Sequence, residues 1–200
     1  MLKLLGRKTS GNVQKVLWLL EEMGAPYQRE DYGRQFGNTQ TDAYLGLNPT
    51  GKVPTIVDSD VVVWESNTIL RYLCNTRGSP LYPGDPSRRS HVERWMDWQL
   101  ASLNGPYVAI FRDAKKPAAE RGPTWAKDAE ELGQQLQILE GALLDRGWIA
   151  GGDVSLADIC LGPIVHRCLD FPITLPALPR LTAWRRQAVS RPAFQKAVAG

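Results

Sequence analysis

The chain has 200 residues, of which 43% are hydrophobic and 22% charged, and its formal net charge is +3. This composition is typical of a folded globular protein and excludes a disordered, collagen-like or coiled-coil chain. The apolar runs are far shorter than the about 20 residues of a membrane helix, and no export signal is recognisable. The sequence therefore predicts a cytoplasmic location without a membrane segment. The nearly balanced charges favour neither nucleic acid nor a membrane as a partner.

Residues that could form disulfides or bind metals are few. The cysteines are Cys74, Cys160 and Cys168, which include no CxxC pair, and we expect them to be reduced thiols within helices. His91 and His166 lack the neighbouring ligands of a metal site, so we expect no metal cofactor.

The first 79 residues alternate between strand and helix patterns. Apolar and β-branched runs predict strands at residues 3–5, 27–32, 53–57 and 61–64. Apolar residues spaced three or four apart predict a helix between Gly11 and Gly24, and further helices at residues 42–47 and 66–77. The order is βαβ, then α, then ββα.

A linker with three prolines and two glycines follows at residues 78–86. Beyond it the pattern predicts only helices, at residues 88–112, 126–145, 155–170, 180–190 and 192–198. Ser155 and Asp158 have the spacing of a capping box at the start of the third of these helices. The sequence thus predicts a mixed α/β domain followed by an all-helical domain.

Three short segments carry side chains that could bind a ligand. Thr9, Ser10 and Asn12 precede or begin the first helix, where such groups cap the helix but where unpaired N–H groups also attract an anion. In Val53–Pro54, a proline that opens a strand indicates a sheet edge or a cis bond, and leaves the Val53 backbone free to pair with an extended ligand. Glu65–Ser66 is either a helix cap beside a solvated acid or a carboxylate–hydroxyl pair for an amino-acid-like group.

Four motifs in this order and at these separations resemble the cytosolic glutathione transferases, and the resemblance covers nearly the whole chain. They are SGNVQKV from Ser10, LNPTGKVP from Leu47, ESNTILRYL from Glu65 and SLAD from Ser155. The resemblance implies that residues 1–79 form a thioredoxin-like, glutathione-binding domain. It also implies that residues 88–200 form an all-helical domain that shapes a hydrophobic substrate site.

The resemblance further implies which residues bind glutathione. Glu65 and Ser66 match the pair that binds the γ-glutamyl group. The backbone of Val53, before a cis Pro54, matches the segment that pairs with the cysteinyl part. Lys52 is the candidate partner of the glycyl carboxylate. Weaker candidates for that carboxylate are Asn38 and Gln40.

The catalytic position lies between the first strand and the first helix. Ser10 stands where serine-type classes, including bacterial ones, carry the catalytic hydroxyl, and Asn12 stands where some bacterial relatives pair a threonine with an asparagine. Thr9 is the remaining alternative. No tyrosine or cysteine occupies this turn, which argues against the classes that use those residues.

A hydroxyl at this position can meet the chemical demand. Lowering the pKa of a thiol from about 8.5 by about two units requires ~2.7 kcal/mol. A charge-assisted hydrogen bond from a hydroxyl supplies ~1.5–3 kcal/mol, and a helix N-terminus adds ~0.3–1 kcal/mol. The resemblance implies a detoxification enzyme that uses glutathione as co-substrate, activates its thiol and transfers it to a small hydrophobic electrophile.

The electrophile site and the assembly are predicted in outline. Tyr107 and Phe111 are the first candidates for the wall of the hydrophobic site, and the resemblance implies a homodimer. Two alternatives are glutathione-dependent reduction of peroxides or disulfides, and a non-catalytic binding protein with the same fold.

Overall fold

The computed structural model describes residues 1–144 and 146–199. The chain divides into two compact units, one made of residues 1–82 with the segment from Val189 onward, the other of residues 83–188. A small mixed sheet with helices is followed by helices alone, which confirms the predicted fold class. Asp145 and Gly200, the predicted ends of a helix and of the helical domain, lie outside the described residues.

Four short strands form one mixed sheet in the first unit. They are β1 (Leu2–Leu5), β2 (Tyr27–Glu30), β3 (Thr55–Asp58) and β4 (Val61–Trp64), in the spatial order β2-β1-β3-β4. β1 is parallel to β2 and antiparallel to β3, and β3 is antiparallel to β4. Leu4 lies opposite Ile56 and both are completely buried, so the centre of the sheet belongs to the core.

Two predicted strands are longer than the observed ones. The strand predicted at 53–57 begins at Thr55, where pairing with both neighbouring strands starts. Pro54 has no N–H group to donate to a ladder, which leaves Val53 outside the sheet. The strand predicted at 27–32 ends at Glu30.

Three helices pack with this sheet. They are α1 (Gly11–Glu22), α2 (Asp42–Leu47) and α3 (Ser66–Arg77), and the predicted bounds of α2 and α3 are confirmed. A Cβ atom on Gly6 would lie 2.5 Å from a methyl group of Val13, so the close approach of β1 to α1 depends on this glycine. Every residue of α1 from Val13 to Leu20 is buried, so α1 is covered on more than one side.

Part of that cover comes from the end of the chain. The short helix α9 (Pro192–Phe194) continues into π-helical turns at Gln195–Ala199. The buried ring of Phe194 meets the ring of Trp18 edge-on, with centroids 4.8 Å apart. The segment from Val189 onward therefore packs in the first unit, whereas the predicted helical domain extends to residue 200. The functional division into residues 1–79 and 88–200 stays a prediction.

A bidentate ion pair fastens this segment to α1. Arg191 donates to both oxygens of Glu22, from Nε at 2.5 Å and from Nη2 at 2.7 Å, and Trp18 Nε1 donates to the same carboxylate at 2.8 Å. Burial raises the pKa of Glu22, but the hydrogen bonds from Arg191 and Trp18 outweigh this and hold the pKa below the ordinary carboxyl value. Folding therefore favours the ionised carboxylate.

We expect Arg191→Ala to lower the free energy of unfolding by about 1–2 kcal/mol, because the half-buried Glu22 carboxylate would lose its partner. A lowered folded pKa stabilises the protein above the unfolded pKa, and this contribution is lost as pH falls through the folded pKa. Urea unfolding should therefore show a difference between wild type and variant that is largest near neutral pH and narrows on acidification. The exposed Arg186 provides the control Arg186→Ala. Equal losses of unfolding free energy in the two variants would contradict a stabilising role of the ion pair between Arg191 and Glu22.

The second unit is helical. Its helices are α4 (Pro86–Trp98), α5 (Asn104–Asp113), α6 (Trp125–Ala142), α7 (Leu156–Cys168) and α8 (Pro179–Val189). α4 packs against α7, and α5 against α6. The single helix predicted at 88–112 is interrupted by π-helical turns at Gln99–Leu103, which a short apolar pattern does not distinguish from an α-helix. No helix within the described residues is both long and apolar enough to cross a membrane.

α7 begins with the predicted capping box. Ser155 Oγ accepts the N–H of Ala157 at 3.2 Å, and the Asp158 carboxylate accepts the N–H of Ser155 at 3.0 Å. The fully buried Asp158 also accepts the backbone N–H of Ile149 and the indole N–H of Trp184, both at 2.9 Å. One carboxylate thus connects the start of α7, the preceding loop and α8.

The three cysteines are buried free thiols, as predicted. Burial raises the pKa of Cys74 to about 11 and also raises the pKa of Cys168. Since the thiolate is the reactive form, these two side chains are poor nucleophiles.

Candidate functional site

A small cleft in the first unit brings together most of the predicted binding residues. Its lining consists of Asn12, Asn48, Thr50, Lys52, Val53, Pro54, Glu65 and Ser66. Its volume of about 50 Å³ encloses part of a ligand, such as one amino-acid group, rather than a whole drug-sized molecule. Asn48 and Thr50 were not singled out from the sequence.

The cleft lies where two helices begin. Ser66 Oγ donates to Asn12 Oδ1 at 3.3 Å, a bond between residues 54 positions apart that joins the first turns of α1 and α3. The first N–H groups of a helix have no partner within it, and its N-terminus carries a partial positive charge. Two such ends beside one cleft favour an anionic ligand.

Ser10 is the N-cap of α1 by position, but its hydroxyl does not cap the helix. The backbone is extended (φ −80°, ψ 125°) and the carbonyl accepts the N–H of Gln14 at 2.9 Å, yet the side chain makes no capping hydrogen bond. The capping interpretation of this hydroxyl is therefore wrong. Ser10 is 9% exposed and does not line the cleft, whereas Asn12 lines it. The side chain of Thr9 is exposed.

Glu65 makes the turn between β4 and α3. The strand ends at Trp64 and the helix begins at Ser66, so one residue must redirect the chain. Glu65 does so with a φ of 67°, a conformation that costs a non-glycine residue about 1–3 kcal/mol. The alternative of a capping serine is wrong, because Glu65 holds the N-cap position and the Ser66 hydroxyl bonds to Asn12 instead. The Glu65 carboxylate makes no capping bond and is exposed.

The segment Lys52–Pro54 rests on buried polar side chains. Tyr44 Oη donates to the Lys52 carbonyl at 2.6 Å, and Asn48 Nδ2 donates to the same carbonyl at 2.9 Å. Tyr44 and Asn48 are each 2% exposed, so the contact is well shielded from water. The Val53–Pro54 peptide bond is cis, as predicted.

Asn48 organises the loop before this segment. Its Oδ1 accepts both the N–H and the hydroxyl of Thr50, at 3.0 and 2.7 Å. In the sequence, Asn48 and Thr50 belong to the motif LNPTGKVP, but neither was assigned a role in binding. An asparagine that binds the backbone two residues later is a known turn, and this spacing is the signal that could have identified Asn48.

Opposite charges stand at the cleft. Lys52 and Glu65 are both exposed and both line it, and Lys52 forms no ion pair within the described residues. Together with the two helix N-termini, these charges suit a ligand that carries an ammonium group and carboxylates.

The two weaker candidates do not line the cleft. Asn38 Oδ1 accepts the N–H of Gly33 and its Nδ2 donates to the Asp31 carbonyl, both at 3.0 Å, so this amide holds its own loop together. Gln40 lies against Gly51, where a Cβ atom would be 2.3 Å from Gln40 Nε2.

Comparison with known proteins identifies the family of this chain. Family models of the glutathione S-transferase N-terminal and C-terminal domains match residues 9–76 and 106–192. The chain is 34% identical to glutathione S-transferase GstB of Escherichia coli K12, over 99% of this chain and 98% of that protein. This chain belongs to the glutathione S-transferase family.

Similarity to other glutathione S-transferases supports this assignment. Glutathione S-transferase 4 of Zea mays is 30% identical over 97% of this chain and 90% of its own length. Among solved structures, the theta class glutathione S-transferase of Xanthomonas axonopodis pv. citri with glutathione bound is 37% identical, with a TM-score of 0.94. That likeness covers 100% of this chain and 97% of the Xanthomonas chain.

In the second unit of this glutathione S-transferase, the predicted wall residues form an aromatic cluster. The rings of Tyr107 and Phe111 are 5.7 Å apart, and Phe171 lies 6.0 and 6.5 Å from them. The Arg167 guanidinium is 5.7 Å from the Phe111 ring, within cation–π range. The assignment of Tyr107 and Phe111 to the wall of the hydrophobic site stays a prediction. Their neighbours Arg167 and Phe171, which the sequence did not indicate, lie about 60 residues further along the chain.

Proposed function

We propose that this glutathione S-transferase binds glutathione in the cleft of the first unit. The observation that carries the proposal is the bond from Ser66 to Asn12, which joins two helix N-termini beside the segment Lys52–Pro54. Glu65 and Ser66 bind the γ-glutamyl group through its ammonium and carboxylate. The Val53 backbone pairs with the cysteinyl part, and the Lys52 ammonium meets the glycyl carboxylate.

Thiol activation in this proposal uses Ser10, with Asn12 as the second catalytic residue. The Ser10 hydroxyl is not engaged in capping and stands at the positive end of α1, so it can donate to a thiolate. Asn12 Oδ1 accepts from Ser66, which leaves the two N–H donors of its amide for a ligand. Neither role needs a metal ion. Thr9 is the alternative hydroxyl.

The reaction follows from the thiolate. Its sulfur attacks an electrophilic carbon of a small hydrophobic compound and forms a carbon–sulfur bond. In a substitution the leaving group departs with the electron pair; in an addition the electron pair moves to the neighbouring atom, which then takes a proton. We assign Tyr107 and Phe111 to the wall of the electrophile site, and a cytoplasmic location to the protein.

Glutathione titration by calorimetry, together with a conjugation assay on a chlorinated nitroaromatic, tests this function. We expect saturable binding and conjugation in the wild type, and weaker binding in Glu65→Gln, which removes the carboxylate that meets the ammonium. Glu131→Gln, at an exposed position of α6, is the matched control and should bind as the wild type does. Wild-type protein that does not bind glutathione would refute the proposal.

The alternative chemistry uses the same cleft. Asn12 lines it, and a thiolate held there could reduce a peroxide instead of attacking carbon. A peroxide-coupled assay beside the conjugation assay decides between them, since turnover of peroxide without conjugation would favour reduction.

A homodimer is part of the proposal. The edge strand β4 exposes Val61 by 40%, and Val62 and Trp64 by 37% each, an apolar strip of the kind that subunit contacts cover. Size-exclusion chromatography with light scattering should give about twice the chain mass of 22.3 kDa. Val62→Lys should shift the mass toward the monomer, and a wild-type mass of one chain would contradict the dimer.

A further inference from the structure

Lys15 is a completely buried lysine on the side of α1 that meets α3. Its side chain is 0% exposed, and Nζ donates to Asn67 Oδ1 at 3.3 Å. Asn67 is itself 2% exposed and directly follows Ser66. Burying an ammonium is costly unless polar groups bind it, so an apolar residue would fill this space more favourably if packing were the only requirement.

A second hydrogen bond joins α1 to the start of α3 beside the contact with Asn67. Asn12 and Lys15 are three residues apart and therefore lie on the same face of α1. Asn12 accepts from Ser66, and Lys15 donates to Asn67. Two consecutive residues of α3 are thus fixed to α1 immediately after Glu65, the residue with positive φ. These bonds set the direction in which the turn presents the Glu65 carboxylate and the Ser66 hydroxyl.

We propose that Lys15 is a positioning residue for glutathione: through Asn67, its ammonium holds the Glu65–Ser66 turn in the conformation that receives the γ-glutamyl group. The inference rests on the proposed function of the cleft. Lys15 does not line the cleft, so it acts on the ligand through its neighbours. Its loss should therefore weaken glutathione binding more than it slows the chemical step.

The test compares Lys15→Met with the wild type by calorimetric titration of glutathione and by steady-state kinetics. We expect Kd and KM for glutathione to rise about tenfold, while kcat at saturating glutathione stays within about twofold. Lys15→Arg keeps a cationic donor and should restore much of the affinity. Asn67→Ala removes the acceptor and should raise Kd as Lys15→Met does.

Gln14→Met is the matched control. Gln14 is the neighbouring buried polar residue of α1, 6% exposed, and its Nε2 donates to the Val198 carbonyl. We expect this variant to bind glutathione as the wild type does, even if its melting temperature falls.

A Lys15→Met protein that folds and keeps the wild-type Kd overturns the inference, and so does an equal rise of Kd in Gln14→Met. If Lys15→Met does not fold, Asn67→Ala decides: a raised Kd with kcat retained supports the inference, and an unchanged Kd overturns it. Wild-type protein without glutathione affinity overturns the proposed function and this inference together. Wild-type binding with unaffected variants overturns the inference alone.

Discussion

Ser10→Ala is expected to reduce kcat/KM for conjugation by about 10- to 150-fold, the loss of a charge-assisted hydrogen bond worth ~1.5–3 kcal/mol. The apparent pKa of the bound glutathione thiol should rise toward that of the free thiol. The lost hydrogen bond stabilises the thiolate more than it stabilises the neutral thiol. The folded structure should be little changed, since the Ser10 hydroxyl contributes no capping bond to α1. The ultraviolet absorbance of the thiolate, followed against pH in wild type and variant, measures the shift.

Two further variants identify the donor. Thr9→Ala removes a neighbouring, exposed hydroxyl and should leave both the thiolate signal and kcat/KM close to wild type. Asn12→Ala tests the residue that lines the cleft. If Ser10→Ala keeps the thiolate signal and Asn12→Ala loses it, the activating donor is the Asn12 amide, and Ser10 is not catalytic.

Asp158→Asn is expected to lower the free energy of unfolding by about 3–5 kcal/mol, one of the largest effects of a single substitution in this chain. The carboxylate accepts from four donors: the backbone N–H of Ser155 and of Ile149, the Ser155 hydroxyl and the Trp184 indole. An asparagine amide offers one oxygen and turns an N–H₂ group toward donors that need an acceptor. Because the site is completely buried, water cannot satisfy the donors left unpaired.

Urea unfolding followed by circular dichroism measures this loss. Asp153→Asn is the matched control, because Asp153 is an exposed aspartate in the loop just before α7. If Asp158→Asn lowered the free energy of unfolding as little as the control does, the hydrogen bonds to the Asp158 carboxylate would contribute nothing to stability. Asp158→Asn protein that still folds should keep its affinity for glutathione at low temperature, since Asp158 belongs to the second unit and does not line the cleft.

Features that depend on neighbouring residues were predictable from the sequence. The capping box needs only Ser155 and Asp158, three residues apart, and its bonds form as expected. The bounds of α2 and α3 were also correct, since turn residues and apolar spacing specify them locally. The end of β3 nearest the cleft was misplaced by two residues, because Pro54 sits in a β-branched run yet cannot join a ladder.

Most of the residues that line the cleft were predicted from the sequence, but their arrangement was not. The resemblance to glutathione transferases named Asn12, Lys52, Val53, Pro54, Glu65 and Ser66, and the cleft contains all six. The sequence also placed Ser10 at a helix start, where a serine side chain usually caps the helix. The structure shows that the Ser10 hydroxyl makes no capping bond. Asn48 was missed although its spacing to Thr50 is typical of a turn, because only the folded loop brings its amide to the Lys52 carbonyl.

Periodicity and short motifs were sufficient to predict the order of the elements, the two-part architecture and the motifs of a glutathione S-transferase. The folded chain was needed to show which distant groups meet: Ser66 with Asn12, Lys15 with Asn67, and Arg191 with Glu22 across 169 positions. Such contacts form because α1 is covered by α3 on one side and by the end of the chain on another. Local spacing carries no information about which buried polar groups that packing will bring within hydrogen-bond distance.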